Sequence, residues 1–428
     1  MHILGQKQRL LPRTAERKNT NVTAASFVIA GASGTVGRQI VPALLAAGAR
    51  LMLVGRDRQR LRELFPQCDC TDYAGLAEAS RGFDTLVFLA TINNDQVASE
   101  ELFHSVNVDL ALATRKQAQL AGIRKFIYFS STHALDDANA SAYARSKRAA
   151  ATALRQDAGM NTQVIYLPAV VGEMTSGRLG ALNVLPRPLA SLALSALQSL
   201  KPTVHISLIV DALLSLPSGE LKAEDPLIVS NGQRNNAVFA FVKRSLDLAC
   251  AVAIVVLLGW AMVIVWIAVQ LQSPGPGIFA QTRVGREGRE FTCYKFRTMY
   301  VSAPNVATHE APAASVTPLG TFLRRTKLDE LPQVFNIFAN QMSLVGPRPC
   351  LPSQTALIAE RQDRGVLTIK PGITGMAQVN DIDMSDPVRL ARWDQRYLKL
   401  RSLLLDLKLI IQTGLGKGRS DKIRQTAG

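Results

Sequence analysis

The sequence predicts an α/β protein of two domains joined by a long apolar helix. At 428 residues the chain is longer than one ordinary core accommodates. In the first half, β-branched runs such as 27–30, 51–54 and 125–129 alternate with Ala- and Leu-rich stretches, which is typical of a parallel sheet covered by helices. Residues 248–269 then carry no charged side chain, and these 22 residues are enough for a helix to cross about 30 Å of hydrocarbon.

Turn-rich segments mark the boundaries of these parts. The polar run Asn231–Asn236 separates the first domain from the apolar helix, and Pro274–Gly277 ends that helix. A mainly helical α+β domain follows. The expected organisation is a basic arm at 1–23, the first domain at 24–234, a linker and membrane helix at 235–276, the second domain at 277–416 and a basic tail at 417–428.

The charge balance indicates an acidic partner. Lys and Arg outnumber Asp and Glu by 49 to 33, a formal net charge of +16, which suits phosphate-bearing substrates, anionic lipid or nucleic acid. Only 6% of the residues are aromatic and no zinc-finger or RNA-binding pattern is present, so we expect no nucleic-acid partner. The five scattered cysteines are typical of reduced thiols in the cytoplasm.

A glycine-rich turn follows the first predicted strand. Gly31, Gly34 and Gly37 lie between the run 27–30 and a predicted helix, the arrangement in which backbone amides hold a dinucleotide pyrophosphate. Arg56 follows the second strand where an acidic residue would bind the ribose 2′-hydroxyl. It indicates the 2′-phosphate of NADP, and a solvated surface arginine is an alternative of similar weight.

A tyrosine and a lysine at helical spacing can supply acid–base chemistry. Tyr143 and Lys147 are four residues apart, so one helix face presents both side chains. A nearby cation lowers the pKa of a phenol and makes it a usable proton donor or acceptor. Upstream, Ser131 and Thr132 end a strand and offer a hydroxyl that can orient a carbonyl.

Together these residues resemble the extended short-chain dehydrogenase/reductase family, whose members mostly act on nucleotide sugars. The resemblance implies a Rossmann-like parallel sheet that binds NADP or NAD. It also implies that Tyr143 and Lys147 are the catalytic pair, that Thr132 is the assisting hydroxyl and that the stretch beginning at Asp69 contacts adenine. The domain is short for the extended class, and a nucleotide-binding regulator without catalysis is therefore the alternative.

The second half contains an acidic pair, Asp329 and Glu330, after the cationic run 324–327. Two adjacent carboxylates can hold Mg²⁺ against a pyrophosphate, and one can attack phosphorus. On spacing alone, acidic residues favoured at a helix start are the stronger interpretation. Further cations in or beside Gly/Pro-stiffened turns, where they can meet phosphate oxygens, reverse that order. These turns are 295–299, 346–349 and 370–375.

Six blocks in this half occur in an order that resembles the bacterial sugar transferase family, the monotopic phosphoglycosyl transferases. The resemblance extends from about residue 240 to 414. The blocks are 243–247, the apolar helix, 294–299, 328–333, 342–349 and 371–380.

This second resemblance implies a reaction in which Asp329 attacks the β-phosphate of a UDP-sugar, releases UMP and holds the phosphosugar covalently. Glu330 would assist undecaprenyl phosphate as it collects that group, and Mg²⁺ would lie with Asp329. Four cations would neutralise the substrate phosphates, namely Lys295, Arg297, Arg324 and Arg348.

Topology follows from the cofactor and substrate pools. A nicotinamide dinucleotide and a UDP-sugar are both cytoplasmic, and both flanks of the apolar helix are basic, which favours the cytoplasmic side for both. We therefore expect a re-entrant helix in the bacterial inner membrane, with a break near Gly259–Trp260 and both domains facing the cytoplasm.

The combined prediction is a bifunctional membrane enzyme. The first domain would act as an NAD(P)-dependent nucleotide-sugar 4-ketoreductase or epimerase, and the second would load the sugar phosphate onto undecaprenyl phosphate. The rival from another class is a membrane-anchored reductase whose second half is only an anchor and interaction module. The particular sugar and the oligomeric state, with a homodimer as one alternative, stay open.

Overall fold

The computed structural model describes residues 25–93, 98–156, 159–172, 184–215, 226–303 and 315–418. The predicted basic arm at 1–23 and all but the first two residues of the predicted basic tail at 417–428 lie outside the described residues.

The first domain is built on a parallel sheet of seven strands in the order β3-β2-β1-β4-β5-β6-β9. A two-stranded parallel sheet of β7 and β8 accompanies it. The strands are Ser26–Ala30 (β1), Arg50–Val54 (β2), Asp69–Thr71 (β3), Thr85–Phe88 (β4), Lys125–Ser131 (β5), Asn161–Leu167 (β6), Ala169–Val171 (β7), Thr203–His205 (β8) and Leu227–Ile228 (β9).

Helices cover both faces of this sheet because its strands are apolar on both faces. Phe27 and Ile29 of β1 face one apolar core, whereas Val28 and Ala30 face the other. The parallel sheet predicted from the β-branched runs is confirmed. The helices are Gly37–Ala46 (α1), Arg58–Leu64 (α2), Leu76–Ala79 (α3), Glu100–His104 (α4), Leu110–Leu120 (α5), Ala142–Gln156 (α6), Arg187–Leu200 (α7) and Ile206–Ser215 (α8), with a π-helical turn at Ser105–Asp109 and a 3₁₀ helix at Thr132–Leu135.

A single helix of 36 residues, α9 (Ala237–Gln272), follows the polar turn at 231–236. Within the described ranges it is the one helix long and apolar enough to cross a membrane, and only 6% of its most apolar window is buried. The helix is continuous through Gly259 and Trp260, so the break predicted there is wrong. Glycine weakens a helix by only about 1 kcal/mol relative to alanine. The helical turns before and after Gly259 therefore keep the helix continuous.

The second domain combines two small sheets with short helices. Thr317, Asp386 and Ser402 each cap a helix by accepting a backbone N–H bond through the side chain. The strands are Ile278–Val284 (β10) and Glu290–Phe296 (β11), which form an antiparallel hairpin, and Ser343–Val345 (β12) and Gly372–Thr374 (β13), which pair in parallel. The helices are Pro318–Thr326 (α10), Val334–Phe338 (α11), Thr355–Asp363 (α12), Met376–Val379 (α13), Pro387–Leu400 (α14) and Leu403–Gly414 (α15), with 3₁₀ helices at Arg286–Gly288, Leu328–Gln333 and Val366–Thr368.

Helix α9 is held near both of its ends by the second domain. Near its start, Lys243 Nζ pairs with Asp406 Oδ2 at 2.6 Å, and Asp247 Oδ1 accepts a hydrogen bond from Ser343 Oγ at 3.0 Å. Near its end, Val269 packs into the apolar core of that domain. Both ends of α9 therefore contact the same domain.

The two domains meet where the polar turn after β9 contacts the α14–α15 turn. Ser230 Oγ donates to Lys399 O at 2.6 Å, and Arg401 Nε donates to Gly232 O at 2.5 Å. Gly232 is tightly fitted, since a Cβ there would lie 2.8 Å from Leu398 O. The turn predicted as the domain boundary is thus also a contact between the domains.

Candidate active sites

The turn after β1 depends on glycine at two of its three predicted positions. Gly31 has a φ of +89°, and a Cβ there would lie 2.5 Å from Ala90 N. A Cβ on Gly37 would lie 2.6 Å from Ala32 O, whereas the nearest atom at Gly34 is 3.3 Å away. Without side chains here, the backbone at the start of α1 can approach a pyrophosphate closely, so the residues fit NAD(P).

Strand register separates the other two predicted cofactor residues. Thr71 lies beside Val54 at the carboxyl edge of the sheet, the edge at which the glycine turn begins. Arg56 is exposed and lies just beyond this edge. Asp69 begins β3, two residues before the edge, whereas Asp72 lies just beyond it. Asp72 therefore lies closer than Asp69 to the predicted nucleotide edge, and the adenine contact of this stretch stays a prediction.

Lys147 is a buried lysine whose side-chain nitrogen donates a hydrogen bond to the backbone. It is 2% exposed in α6, its Nζ donates to Phe129 O at 3.0 Å, and the same atom lies 4.8 Å from the centre of the Tyr128 ring. Burial lowers the pKa of Lys147 to about 7. A lysine with this pKa can exist in both protonation states near neutral pH.

Tyr143 lies one helical turn before Lys147, at a position that also meets the end of β5. Its ring lies edge-on to those of Phe103 and His133, with both centroid distances 6.2 Å. Thr132 precedes His133 in the short 3₁₀ helix, so the structure brings the predicted hydroxyl, phenol and lysine to one end of the sheet.

Asn107 supports this arrangement from inside a π-helical turn. In the sequence it resembles the asparagine turn of the short-chain dehydrogenase/reductase family, although no role in the site was assigned to it. Its Oδ1 accepts a hydrogen bond from Ile92 N at 3.0 Å, and its Nδ2 donates to Ser146 Oγ at 3.0 Å. Its backbone oxygen accepts the Tyr128 hydroxyl at 3.2 Å. Asn107 thus connects α6 to the segment after β4.

Glu330 of the second domain is held by two of the predicted phosphate-binding cations. Lys295 Nζ donates to Glu330 Oε1 at 2.7 Å, and a guanidinium nitrogen of Arg348 lies 3.0 Å from the same oxygen. Burial favours the neutral acid, but the charges of Lys295 and then Arg348 overcome it and lower the pKa of Glu330 to about 2. The carboxylate is therefore ionised at neutral pH and holds two cations together.

Asp329 is as buried as Glu330, but its electrostatic surroundings are different. Burial raises the pKa of Asp329 to about 6, although Lys295 opposes this effect. Asp329 makes no ion pair with the residues that the structure describes. Beside it, one guanidinium nitrogen of Arg324 is buried without a hydrogen-bond partner. An unsatisfied buried donor next to an unpaired carboxylate is an arrangement that a phosphate ligand would complete.

Arg297 lies elsewhere, and the prediction that it binds substrate phosphate is wrong. Its guanidinium is buried at the end of α9 and donates to Ser273 O and Pro274 O, both at 2.6 Å, and to Val269 O at 3.3 Å. Val269 lies in the last turn of α9, and Ser273 and Pro274 follow its last residue, so the guanidinium lies at the negative end of the helix dipole. Arg297 therefore caps the C-terminal end of α9.

Arg283 joins the cationic cluster, although the sequence analysis assigned it no role in the site. It donates to Pro349 O at 3.1 Å, next to Arg348 in the chain. Burial, and then the charge of Arg348, lowers the pKa of Arg283. The hairpin positions it, because β10 pairs with the strand that carries Lys295. An arginine in a half-buried strand was the available signal.

A metal ion would depend on Asp329 and on substrate oxygens. No group of three or more His, Cys, Asp or Glu side chains that could hold a metal occurs in the described ranges. Glu330 is already paired with two cations. Magnesium often uses one or two carboxylates together with substrate phosphates, so one free carboxylate beside a phosphate site fits Mg²⁺ in that mode.

An apolar cavity of about 580 Å³ opens next to the acidic pair, between α9 and the second domain. Gly259 is among the helix residues that line it, and Pro332 follows Glu330 by two positions. The full lining is Val255, Gly259, Met262, Val263, Trp266, Ile278, Tyr294, Phe296, Pro332 and Phe335.

Comparison with known proteins divides the chain in the same way. Residues 238–416 match the family described as "Bacterial sugar transferase", and residues 31–175 match a family described as "NAD(P)H-binding". A solved oxidoreductase of the short-chain dehydrogenase/reductase family from Burkholderia thailandensis is 21% identical over 51% of this chain and 96% of that chain, with a TM-score of 0.37. A TM-score this low gives no further support to the fold described above.

Curated relatives match the second half. The undecaprenyl-phosphate galactose phosphotransferase of Salmonella typhimurium is 35% identical over 193 residues, 40% of each chain. The undecaprenyl-phosphate glucose phosphotransferase of Komagataeibacter xylinus is 36% identical over 40% of this chain and 35% of its own. A UDP-glucose:undecaprenyl-phosphate glucose-1-phosphate transferase of Caulobacter vibrioides is 37% identical over 40% of this chain and 67% of its own. The chain thus spans 40% and 35% of the length of the first two relatives.

Proposed function

Because the chain belongs to the bacterial sugar transferase family, we propose that its second domain transfers a sugar 1-phosphate from a UDP-sugar to undecaprenyl phosphate. The substrate class is taken from the names of the relatives, and the arrangement of the site supports the phosphosugar transfer. The observation that carries most weight is the division between the adjacent carboxylates. Glu330 is paired with Lys295 and Arg348, whereas Asp329 is buried and makes no ion pair within the described chain.

In the first step, a carboxylate oxygen of Asp329 forms a bond to the β-phosphorus of the UDP-sugar. The bond from that phosphorus to the bridging oxygen breaks, and UMP leaves with the bridging oxygen. Arg324 and Arg348 would stabilise the charge that develops on the phosphate oxygens, because one Arg324 nitrogen is buried without a partner and Arg348 lies beside the pair.

In the second step, a phosphate oxygen of undecaprenyl phosphate attacks the same phosphorus and the bond to Asp329 breaks. The product is the lipid diphosphosugar, and the carboxylate is regenerated. With a pKa of about 2, Glu330 is a weak proton acceptor. We therefore assign it to this step as the residue that fixes Lys295 and Arg348 while the lipid phosphate enters.

Asp329 is also the residue that would hold Mg²⁺, in concert with the pyrophosphate oxygens. When bound, the ion supplies charge neutralisation on the phosphates. The chain's own contribution is one carboxylate that is free of ion pairs with described residues.

The apolar cavity fits the first isoprene units of the lipid substrate. It lies between the membrane helix and the 3₁₀ helix of the acidic pair, so a chain in it would place its phosphate close to Asp329. Aromatic and aliphatic side chains line it almost completely, which suits a hydrocarbon.

For the first domain, bounded at 24–234 as expected from the sequence, we propose NAD(P)-dependent reduction or epimerisation of a nucleotide sugar. The cofactor supplies the hydride when bound, with the glycine turn at its pyrophosphate. Tyr143 would transfer the proton to or from the sugar oxygen, Thr132 would orient that oxygen, and Lys147 would assist the phenol.

Both domains would face the cytoplasm at the bacterial inner membrane. Both ends of α9 contact the second domain through polar groups, so a full crossing would draw that domain into the hydrocarbon. We propose that α9 enters the membrane as an unbroken helix from one side. Cysteine introduced at exposed Arg124 and at exposed Asp363 should react with an impermeant maleimide only after the membrane is opened. Reaction of one of them in intact spheroplasts would refute this topology.

The transferase is tested by UMP release from a panel of UDP-sugars in the presence of undecaprenyl phosphate. Asp329→Asn should reduce release to background, because the nucleophile is lost. Asp363→Asn, at an exposed position of α12, is the matched control and should keep wild-type activity. Unchanged release by Asp329→Asn would leave a membrane-anchored reductase as the better interpretation.

The first domain is tested by NADPH oxidation with UDP-4-keto sugars and by mass spectrometry of lipid-linked products with and without NADPH. Tyr143→Phe should abolish oxidation, while Tyr300→Phe, at an exposed position in the second domain, should not. If no substrate in the panel supports oxidation but NADPH still binds, the domain is a nucleotide-binding regulator instead.

A further inference from the structure

A second cavity lies at the junction of the two domains, away from both sites described above. Its volume is about 790 Å³. The polar turn after β9, the start of α9 and the α14–α15 turn form its walls. Neither Asp329, Glu330, Lys295 nor Arg348 lines it.

Basic side chains dominate this junction cavity. The one carboxylate in its lining, Asp247, already accepts hydrogen bonds from Ser343 Oγ at 3.0 Å and Leu344 N at 2.9 Å. The cations come from the domain linker, the membrane helix and the second domain. They are Arg234, Lys243, Arg244, Arg286, Arg364, Lys370, Lys399 and Arg401.

Most of this charge is not neutralised by acidic side chains within the described ranges. Lys243, Arg286 and Arg364 pair with acidic side chains. Arg244 donates to Ile337 O at 2.9 Å, an uncharged oxygen. Five of the eight cations form no ion pair with any described residue, namely Arg234, Arg244, Lys370, Lys399 and Arg401.

Two lysines of the cavity have lowered pKa values because they are partly buried and face other cations. Burial, and then the charge of Arg244, lowers the pKa of Lys370. Burial and the charge of Arg234 lower the pKa of Lys399. Like charges that face one another in a half-buried space are stabilised when an anion enters between them.

We propose that the junction cavity binds a phosphate-bearing anion. Its arginines offer planar forks that match phosphate oxygens, and its lysines add compact point charges. Because the cavity adjoins the start of the membrane helix, the phosphate can come from a phospholipid headgroup, and its open side also admits a soluble pyrophosphate. In both cases the anion contacts the linker through Arg234 and the second domain through Lys399, and it thereby joins the two domains.

Residue-resolved lysine acylation tests the proposal with the full chain in nanodiscs. Four conditions are compared: phosphatidylcholine or phosphatidylglycerol discs, each with and without millimolar inorganic pyrophosphate. Relative to phosphatidylcholine alone, labelling of Lys399 and Lys370 should fall several-fold. Protection by phosphatidylglycerol identifies a headgroup as the source, and protection by pyrophosphate in phosphatidylcholine identifies a soluble anion. The exposed Lys116 is the internal control and should label equally throughout.

Variants show whether the protection arises in the cavity. Arg234→Gln combined with Arg244→Gln should abolish protection of Lys399. The control Arg124→Gln, at an exposed position outside the cavity lining, should retain protection. Equal labelling of Lys399 and Lys370 in all four conditions overturns the proposal. Protection that persists in the double variant overturns it too. UMP release is not part of this measurement, so its outcome is separate from that of the transferase.

Discussion

At the scale of single residues, Asp329 and Glu330 are neighbours in the chain whose carboxyl groups meet opposite electrostatic conditions. Two cations hold Glu330 ionised, whereas burial raises the pKa of Asp329 to about 6. Pairs of titratable groups whose pKa values diverge in this way are typical of sites with divided roles. The acidic pair itself could be predicted from the sequence. Its asymmetry could not, because it depends on Lys295 and Arg348, which reach Glu330 from segments that precede and follow it in the chain.

Asp329→Asn should stabilise the protein at neutral pH while it abolishes transfer. The pKa of Asp329 is raised from 3.8 to about 6, so the folded state binds a proton that the unfolded state releases, and stability falls as pH rises through this window. Removing the charge should add on the order of 1 to 3 kcal/mol above pH 6. Denaturant unfolding at pH 7.5 and near pH 4 measures it: the gain should be present at the first and absent at the second. A loss at pH 7.5 would contradict the buried, unpaired carboxylate.

Arg324→Gln should weaken use of the UDP-sugar, whereas Arg325→Gln should not. The two arginines are adjacent, but one has a buried, unpartnered nitrogen beside Asp329 and the other is exposed. A hydrogen bond to a charged group contributes about 1.5–3 kcal/mol, so kcat/KM should fall roughly 10- to 100-fold for the first variant. Steady-state kinetics of UMP release compares the pair. Equal effects in both would show that general positive charge, and not this contact, is responsible.

At the scale of elements, the sequence pattern predicted the local secondary structure. It did not predict features that depend on contacts with residues distant in the chain. The β-branched runs and the glycine turn predicted the parallel sheet and its nucleotide edge. The register that sets Asp69 back from that edge is a property of strand pairing, which sequence spacing does not show. Arg297 resembled a phosphate ligand because its partners, the carbonyl oxygens at and just after the end of α9, lie 23 to 28 residues earlier in the chain. The helix break failed because glycine alone does not end a helix.

Arg297→Gln should destabilise the second domain without a specific effect on substrate binding. The change leaves the carbonyls of Ser273 and Pro274 without a charged donor in a buried setting, which costs about 2 to 3 kcal/mol. Thermal unfolding measures the loss, and Arg289→Gln, at an exposed position, is the matched control. The KM for the UDP-sugar should stay within twofold of wild type. A large rise in KM with unchanged stability would restore the phosphate-binding role.

At the scale of the whole molecule, the linker turn that separates the domains in sequence also joins them in space. Ser230, Gly232 and Arg401 form a close polar contact. A second contact, the ion pair of Lys408 with Asp136 at 3.0 Å, lies near the 3₁₀ helix that carries Thr132. The existence of two domains could be predicted from length and composition. Their docking could not, because it joins residues about 170 or more positions apart.

Gly232→Ala should loosen this docking more than an equivalent change elsewhere. Gly232 has a φ of +55°, and an added Cβ would meet Leu398 O at 2.8 Å. Gly122→Ala is the matched control, since its φ is +79° but nothing lies within 4 Å of the added atom. Both changes carry the backbone strain of about 1 kcal/mol, and only the first adds a clash. Limited proteolysis at 231–236 should accelerate in Gly232→Ala alone, and equal cleavage of both variants would show that strain is sufficient.

Because the second domain holds both ends of α9, the protein should change the curvature of the bilayer. A body that enters from one side enlarges the area of that leaflet and leaves the opposite leaflet unchanged. Under the proposed topology, the cytoplasmic leaflet expands around each molecule and the membrane bends so that it is convex towards the cytoplasm. The enzyme would therefore prefer the outer surface of small vesicles to that of large ones, and crowding of molecules at one place would itself shape the membrane there.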